Sequence, residues 1–316
     1  MPETASHTVS RRLATGAVVV AGEVTASDLA LWLAGLTRIA ATSPGVAPGT
    51  SPVDAYMRAE MVAVDVPVRD LTGLVGAPRL ALLRPMVARL QDTRVRLMGL
   101  SDAEAQACLG WETVGRQALA PGEPERTCIL PREPERADET AALWFPGKLA
   151  AEAHVTNDTE AQKPVPPVAF DLAAVGRMRS RYSPLLYLRA LAWLSGPVPL
   201  RSGWGKRFVA KGRCEIRVPL PDAGLLIGVD ALRRKADIER LALGPAKADL
   251  AAAGINLHVE WIRLAGYAQV FTHLALTVSL SARKPGAAAP APKLRKVRLR
   301  PRTPAAPAIR EDELPY

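Results

Sequence analysis

Apolar positions along the chain follow two periods, and the switches between them mark out elements. Ala17-Val18-Val19-Val20 is a short β-branched run that predicts a strand. Leu29, Leu33 and Leu36, with Trp32 beside them, fall at spacings of three and four, which gives a helix one apolar face; Thr25 or Ser27 can cap it. Met61 to Val68 is strand-like, and Asp70 is placed to cap a short helix that runs through Val75 and stops at Gly76. Leu80, Leu83, Val87 and Leu90 form the apolar face of a further helix, kinked or begun at Pro85. Arg94-Val95-Arg96-Leu97 then alternates like a strand.

The pattern comes round again. Val66, Pro67, Asp70, Leu74 and Gly76 recur as Val218, Pro219, Asp222, Leu226 and Gly228, 152 residues further on (67 to 219), and Val64, Val68 and Val75 meet Ile216, Leu220 and Ile227. Leu83, Pro85, Ala88 and Leu90 then meet Leu243, Pro245, Ala248 and Leu250 at an offset of 160 (85 to 245), and Val95 and Leu97 meet Ile255 and Leu257. An apolar pattern that persists through a strand, a helix and a second strand implies two copies of one small domain, with eight extra residues between Gly228 and Leu243 in the second.

The second copy has a fuller set of signals. Ser183-Pro184 reads as an N-cap and first-turn proline ahead of Leu185, Tyr187, Leu188, Leu191 and Trp193-Leu194. Gly203-Trp204-Gly205-Lys206-Arg207 is a basic loop. A strand over residues 215–220, a helix near 231–235 and a helix near 238–253 with Gly254 at its end follow. Residues 257–263 and 274–278 alternate with period two around Ala265-Gly266, the signature of a hairpin.

A helix, a strand, two short helices and a returning strand is the order of a winged helix-turn-helix. The expected fold is α+β: two tandem winged helix-turn-helix domains related by the internal repeat, with a disordered basic C-terminal tail. The expected boundaries are an arm over 1–24, a first domain over 25–150 with a charged, proline-rich insertion over about 99–142, a linker over 151–176, a second domain over 177–282 and the tail over 283–316.

Composition narrows the partner. The 316 residues suit two domains, and 48% hydrophobic residues suffice for ordinary cores. A formal net charge of +10 points to an anionic partner, nucleic acid first and an anionic membrane surface second, while 5% aromatics argues against a stacking surface for sugars. Cys108, Cys128 and Cys214 make neither a disulfide framework nor a metal pair and read as reduced thiols of a cytoplasmic protein. No apolar run is long enough to span a membrane. Ser10-Arg11-Arg12-Leu13 resembles a twin-arginine export signal only superficially, because the apolar stretch stops at Glu23 without a small-residue cleavage site.

A winged helix-turn-helix lays its third helix in the major groove and uses wing and loops on phosphates. In the first copy the inward leucines leave Arg84 and Arg89 as DNA-binding candidates, helped by Arg79, Arg94 and Arg96. In the second, Arg233, Arg234, Lys235, Arg240 and Lys247 bracket the turn and third helix, with Asp237, Glu239 and Asp249 diluting their charge. Lys206 and Arg207 in the loop and Arg263 in the hairpin are phosphate candidates. Each is also at home on a solvated surface. Lys293, Arg295, Lys296, Arg298, Arg300 and Arg302 can add affinity without specificity through counterion release, ahead of the acidic Glu311-Asp312-Glu313.

Signals for chemistry are weak. His7, His154, His258 and His273 have no neighbouring Cys or carboxylate cluster, no phosphate-binding glycine loop is present, and no His-x-His lies near a tyrosine. Tyr182 and Tyr187 read as packing residues. No catalytic residue, metal or cofactor is expected.

Two stretches carry a family resemblance. Arg179-Ser180-Arg181-Tyr182-Ser183-Pro184-Leu185-Leu186-Tyr187 resembles the opening of the second domain in plasmid replication initiators that bind iterons. Leu243-Gly244-Pro245-Ala246-Lys247-Ala248-Asp249-Leu250 is similar to their third helix, with Asp249 where an acidic residue is usual. The resemblance spans residues 25–97 and 177–280; the 99–142 insertion, the basic tail and the Ala-Ala-Ala-Gly after Leu250 depart from it. It implies a non-enzymatic protein of two tandem winged helices that binds double-stranded DNA at direct repeats, helps open adjacent AT-rich duplex and recruits host helicase and replication initiator. A homodimer through the first domain belongs to the same expectation. A winged-helix transcription regulator, a partition protein and a protein-interaction scaffold are the alternatives.

Overall fold

The computed structural model describes residues 7–41, 51–67, 70–71, 83–97, 104–107, 110–114, 140–154, 157–158, 163–164, 166–198, 200–230, 232, 234–267 and 270–281. All of these belong to the first of the chain's two units, Met1–Gly286; the second, Ala287–Tyr316, lies outside the described residues, and with it most of the expected tail.

The fold is mixed α/β. β1 (His7–Val9), α1 (Arg11–Gly16), β2 (Ala17–Ala21), α2 (Ala26–Ala41), α3 (Pro52–Arg58), β3 (Met61–Pro67), α4 (Leu83–Gln91) and β4 (Arg94–Leu97) come first. β5 (Glu104–Gln106), β6 (Gly110–Val114), β7 (Thr140–Pro146) and α5 (Gly147–His154) complete the first half. β8 (Asn157–Asp158), β9 (Lys163–Pro164), β10 (Val168–Phe170) and α6 (Leu172–Gly176) lead into α7 (Ser183–Ser195). β11 (Gly205–Ala210), β12 (Arg213–Pro219), a 3-10 turn (Leu220–Asp222) and α8 (Ala223–Ile227) follow. α9 (Lys235–Asp237), a π-helical turn (Ile238–Leu243), α10 (Gly244–Ala252), β13 (Ile255–Arg263) and β14 (Phe271–Leu280) close the described chain. Among the described residues no helix is long and apolar enough to cross a membrane.

The two repeated stretches share a strand and a helix but not the returning strand: β4 lies in a β2–β4–β5 sheet apart from β3, whereas β13, its equivalent in sequence, shares a sheet with β12. β3 and β12 start and end 152 residues apart, each closing on a proline that has no N–H for a ladder. Val64 and Val66 are buried on β3 as Ile216 and Val218 are on β12. β3 lies beside β7, which lies beside β6; β12 lies beside β14, which lies beside β13, with β11 added at the outer edge. On the helices that follow, Leu83, Met86 and Leu90 are buried in one half and Leu243, Ala246 and Leu250 in the other. α4 begins close to Pro85, where a missing N–H costs nothing.

Four expectations are corrected. Residues 7–24 of the expected arm over 1–24 are built into the core: β1 pairs with β10, the Ser10 hydroxyl accepts from Leu13 N at 3.1 Å to cap α1, and Val9, Leu13, Ala14 and Val18 are buried. The linker over 151–176 is also structured, since α5 runs to His154 with Ala151 and Ala153 buried, and β10 and α6 lie within it. Within the 99–142 insertion, residues 104–106, 110–114 and 140–142 belong to strands through backbone pairing with β4 and within the β3–β7–β6 sheet. Residues 115–139, with both proline-rich segments, lie outside the described residues. The helix placed near 231–235 instead starts at Lys235, and Val229 forms a bridge with Val19 of β2.

That last contact joins the halves. Val19 N donates to Gly228 O at 2.9 Å, Asp230 N donates to Val19 O at 3.3 Å, and Arg96 meets Asp230 at 3.6 Å. Gly228 has φ +95° and no room for a side chain, since a Cβ there would run into Leu185 and Arg189. Arg189 is fully buried and donates from Nε to Thr15 O at 3.0 Å and from Nη2 to Ala17 O at 2.6 Å. Desolvation pulls its guanidinium down to about 9. Arg11, 4% exposed, reaches the other way, donating to Ala192 O at 2.6 Å and to the Ser195 hydroxyl at 3.1 Å. Carbonyl oxygens at both sites replace the water that a buried cation would otherwise lose at high cost.

Candidate nucleic-acid interface

The π-helical turn and α10 together have two well-separated sides. Ile238, Ala242, Leu243, Ala246 and Leu250 are buried against the sheet. Arg240, Pro245, Lys247, Ala248, Ala251 and Ala252 are exposed. The small side chains let a ligand approach the backbone closely, and Arg240 supplies charge at one end of that strip and Lys247 within it. Arg240 is 73% exposed and keeps only an i,i+3 pair with Asp237 at 3.6 Å, an interaction of little strength in water. The π-helical turn ahead of α10 is a geometry found disproportionately at functional sites.

Asp249, on the flank of α10, gathers a basic loop beside the helix. Its Oδ2 accepts from Arg179 N at 3.0 Å, Ser180 N at 2.9 Å and the Ser183 hydroxyl at 2.6 Å. Ser183 is therefore not the cap of α7; it is the first helical residue, and its hydroxyl serves Asp249. Arg179 and Arg181 are exposed, and Arg181 lies 5.0 Å from the Tyr182 ring and donates to its hydroxyl at 2.9 Å. Arg177 and Asp249 line a small cleft with Met178 and Ala252. These arginines are absent from the candidates drawn from charge alone, although Arg179 and Arg181 stand in the stretch that carries the family resemblance.

On the opposite flank the hairpin meets the start of the helix. Lys235 Nζ sits 3.9 Å from the Phe271 ring centroid and 5.6 Å from that of Trp261, and Arg263 stacks on Phe271 at 5.4 Å. Cation–π contact holds both charges at the base of the hairpin while leaving them outward. Arg234 and Lys247 are exposed nearby in sequence; Arg233 lies outside the described residues.

The first-half candidates divide. Arg84 is exposed on α4, and Arg94 is exposed at the start of β4. Arg79 lies outside the described residues. Arg89 is corrected: Nε and Nη2 each donate at 2.8 Å to the carboxylate of Asp28, whose side chain is fully buried, and that hydrogen bonding raises the Arg89 pKa. Arg96 is corrected too, since it bridges the halves at Asp230. Lys206 turns inward, donating to Gly196 O and lying 4.4 Å from the Phe208 ring, and burial lowers its pKa. Arg207 stays 70% exposed beside Glu215 at 3.0 Å.

Among the described residues no group of three or more His, Cys, Asp or Glu is placed to hold a metal ion. His258 and His273 do not face each other across the hairpin: His258 is opposite Thr277, and His273 opposite Ile262. Tyr182 and Tyr187 are buried, and so is Cys214, whose thiol burial pushes up to about 11. Neither protein-family models nor curated proteins give a match to the chain.

Proposed function

We propose that the chain binds double-stranded DNA through two winged helix-turn-helix halves and acts as a plasmid replication initiator at repeated origin sites. The observation that carries this reading is α10, a helix with one buried side and one exposed small-residue side, flanked by Arg179 and Arg181 through Asp249 and by Lys235 and Arg263 at the hairpin. Support for a tandem arrangement comes from β3 and β12, whose bounds coincide in the repeated stretch. In this reading α10 reads base edges in the major groove, the flanking cations hold phosphates, and α4 adds contacts through Arg84.

In this reading the buried contacts between the halves hold the two reading helices in one fixed arrangement. Host helicase and replication initiator would be recruited after binding, and the first half would supply any homodimer contact. The test is a gel shift on direct repeats from the chain's own replicon, titrated with salt. Binding whose affinity falls steeply with salt, and fails on shuffled repeats, is the expected outcome. Preference for one isolated palindrome would favour a regulator, and no binding at low salt would sink the reading.

A further inference from the structure

β11 is the outer strand of its sheet: it pairs with β12 on one side, and among the described residues no strand pairs with the other. Such an edge offers a row of unpaired N–H and C=O groups, which proteins ordinarily blunt with outward charge or a bulge. The bulge of β11 comes only at its end, since the register holds from Gly205 to Phe208 and shifts before Ala210. The lysine of that run is turned away from the edge: Lys206 donates to Gly196 O and lies 4.4 Å from the Phe208 ring. Phe208 is left 57% exposed, and Val209, the extra residue of the bulge, 44%. The hairpin that carries them is cationic. Arg207 and Arg217 are 70% and 53% exposed and share one carboxylate, that of Glu215, at 3.0 Å and 3.6 Å. Lys211 and Arg213 are exposed where β11 turns into β12, and Glu215 is the only acidic residue between Gly205 and Pro219.

We propose that β11 takes up an extended acidic segment of a partner protein as an added strand of the sheet. Backbone hydrogen bonds along Gly205 to Phe208 supply the attachment, and side chains at alternate positions supply the selection. Arg207 lies opposite Glu215 on the open face of the sheet, and Phe208 opposite the buried Cys214 on the packed face. A strand laid beside β11 therefore presents acidic residues next to Arg207 and apolar residues next to Phe208. Charge selects this occupant over a second copy of the chain, because two cationic strands paired edge to edge repel one another. The apolar pair selects it over a DNA phosphate backbone, which has no use for Phe208 and Val209. The inference stands apart from the DNA-binding reading, since α10, the helix given to base edges, is not part of this edge.

The experiment uses the full chain and a fluorescein-labelled peptide of alternating glutamate and valine, read by fluorescence anisotropy. Saturable binding is expected, with the same peptide N-methylated along one backbone edge weaker by about tenfold. The alternating lysine and valine peptide should not bind. Phe208→Ser should weaken binding of the glutamate peptide by about tenfold, and Val209→Ser by a few-fold, while affinity for duplex DNA stays unchanged. Thermal unfolding checks that both variants are folded. Equal binding of the N-methylated peptide would show attraction by charge alone and overturn strand addition, and so would failure of the glutamate peptide to bind. Displacement of the peptide by duplex DNA, with duplex affinity lowered in Phe208→Ser, would assign the edge to DNA and overturn the proposal. A dimer that Phe208→Ser dissolves, in a chain that binds no peptide, would assign the edge to a second copy. Peptide binding seen only after Glu311→Gln, Asp312→Asn and Glu313→Gln together would assign it to the chain's own acidic segment and overturn a separate partner.

Discussion

Arg89 grips Asp28 with two parallel hydrogen bonds of 2.8 Å, tying α4 to the start of α2. The aligned position in the second half is Asp249, and it ties α10 to the start of α7 through Ser183. The aligned positions both brace a helix, Arg89 through an ion pair and Asp249 through a neutral hydroxyl and two backbone N–H groups. Asp28 also accepts from Thr25 N at 2.7 Å while its own N–H is capped by the Thr25 hydroxyl, so one buried carboxylate closes the cap and receives the arginine.

Arg89→Ala should therefore act on stability. Removing the cation leaves Asp28 buried without it, and a loss of about 2–3 kcal/mol is expected, below the usual cost for a fully buried pair because water reaches Arg89. Urea denaturation measures it, and the double variant with Asp28→Ala should recover part of the loss. An unchanged midpoint would refute the brace.

Asp249→Ala offers a sharper contrast. Deleting an acidic side chain next to bound DNA ordinarily tightens binding by relieving repulsion. Here the carboxylate holds the loop bearing Arg179 and Arg181, so the variant should bind DNA more weakly. Equilibrium titration decides, and tighter binding would contradict the role given to this loop.

Glu152 gives a pH-dependent test. Burial raises its pKa above the ordinary 4.5, against the pull of Arg12 3.7 Å away. With the folded value above the unfolded one, the folded state binds more protons in that window, and stability falls as pH rises through it. Glu152→Gln removes a charge that is disfavoured at neutral pH. Its melting temperature should exceed wild type at pH 7.5, and the difference should vanish below pH 4.5. A lower melting temperature at pH 7.5 would show that Arg12 outweighs burial.

Arg240→Ala and Lys247→Ala should each flatten the plot of log affinity against log salt by about one unit, as loss of a phosphate contact does. Arg96→Ala and Lys206→Ala, whose cations are engaged inside the fold, should leave that slope unchanged. Equal effects from all four would show that charge alone, and not this surface, governs binding.

Much of the framework is readable in the chain because it is local. The period-two run ending at Pro67 and Pro219 marks β3 and β12, the spacing of Leu83, Val87 and Leu90 marks α4, and Ala265-Gly266 marks the hairpin turn. Partners distant in sequence are not readable in this way. Period shows that Arg89 lies off the apolar face, but Asp28, 61 residues earlier, decides that it is covered. Arg11 and Arg189 look like ordinary surface cations until carbonyls from the other half surround them. The arm and linker read as loose for the same reason, since β1 and β10 are three residues each and acquire order by pairing with one another.

Binding-site selection from a randomised duplex pool, using the full chain, tests the central claim most directly. The account predicts enrichment of a defined sequence that binds better as a direct repeat, with affinity for it weakened in Arg240→Ala and Lys247→Ala and kept, at a temperature where it is folded, in Arg89→Ala. A pool that remains random after repeated rounds, or affinity for the enriched sequence indifferent to both α10-side variants, would contradict it.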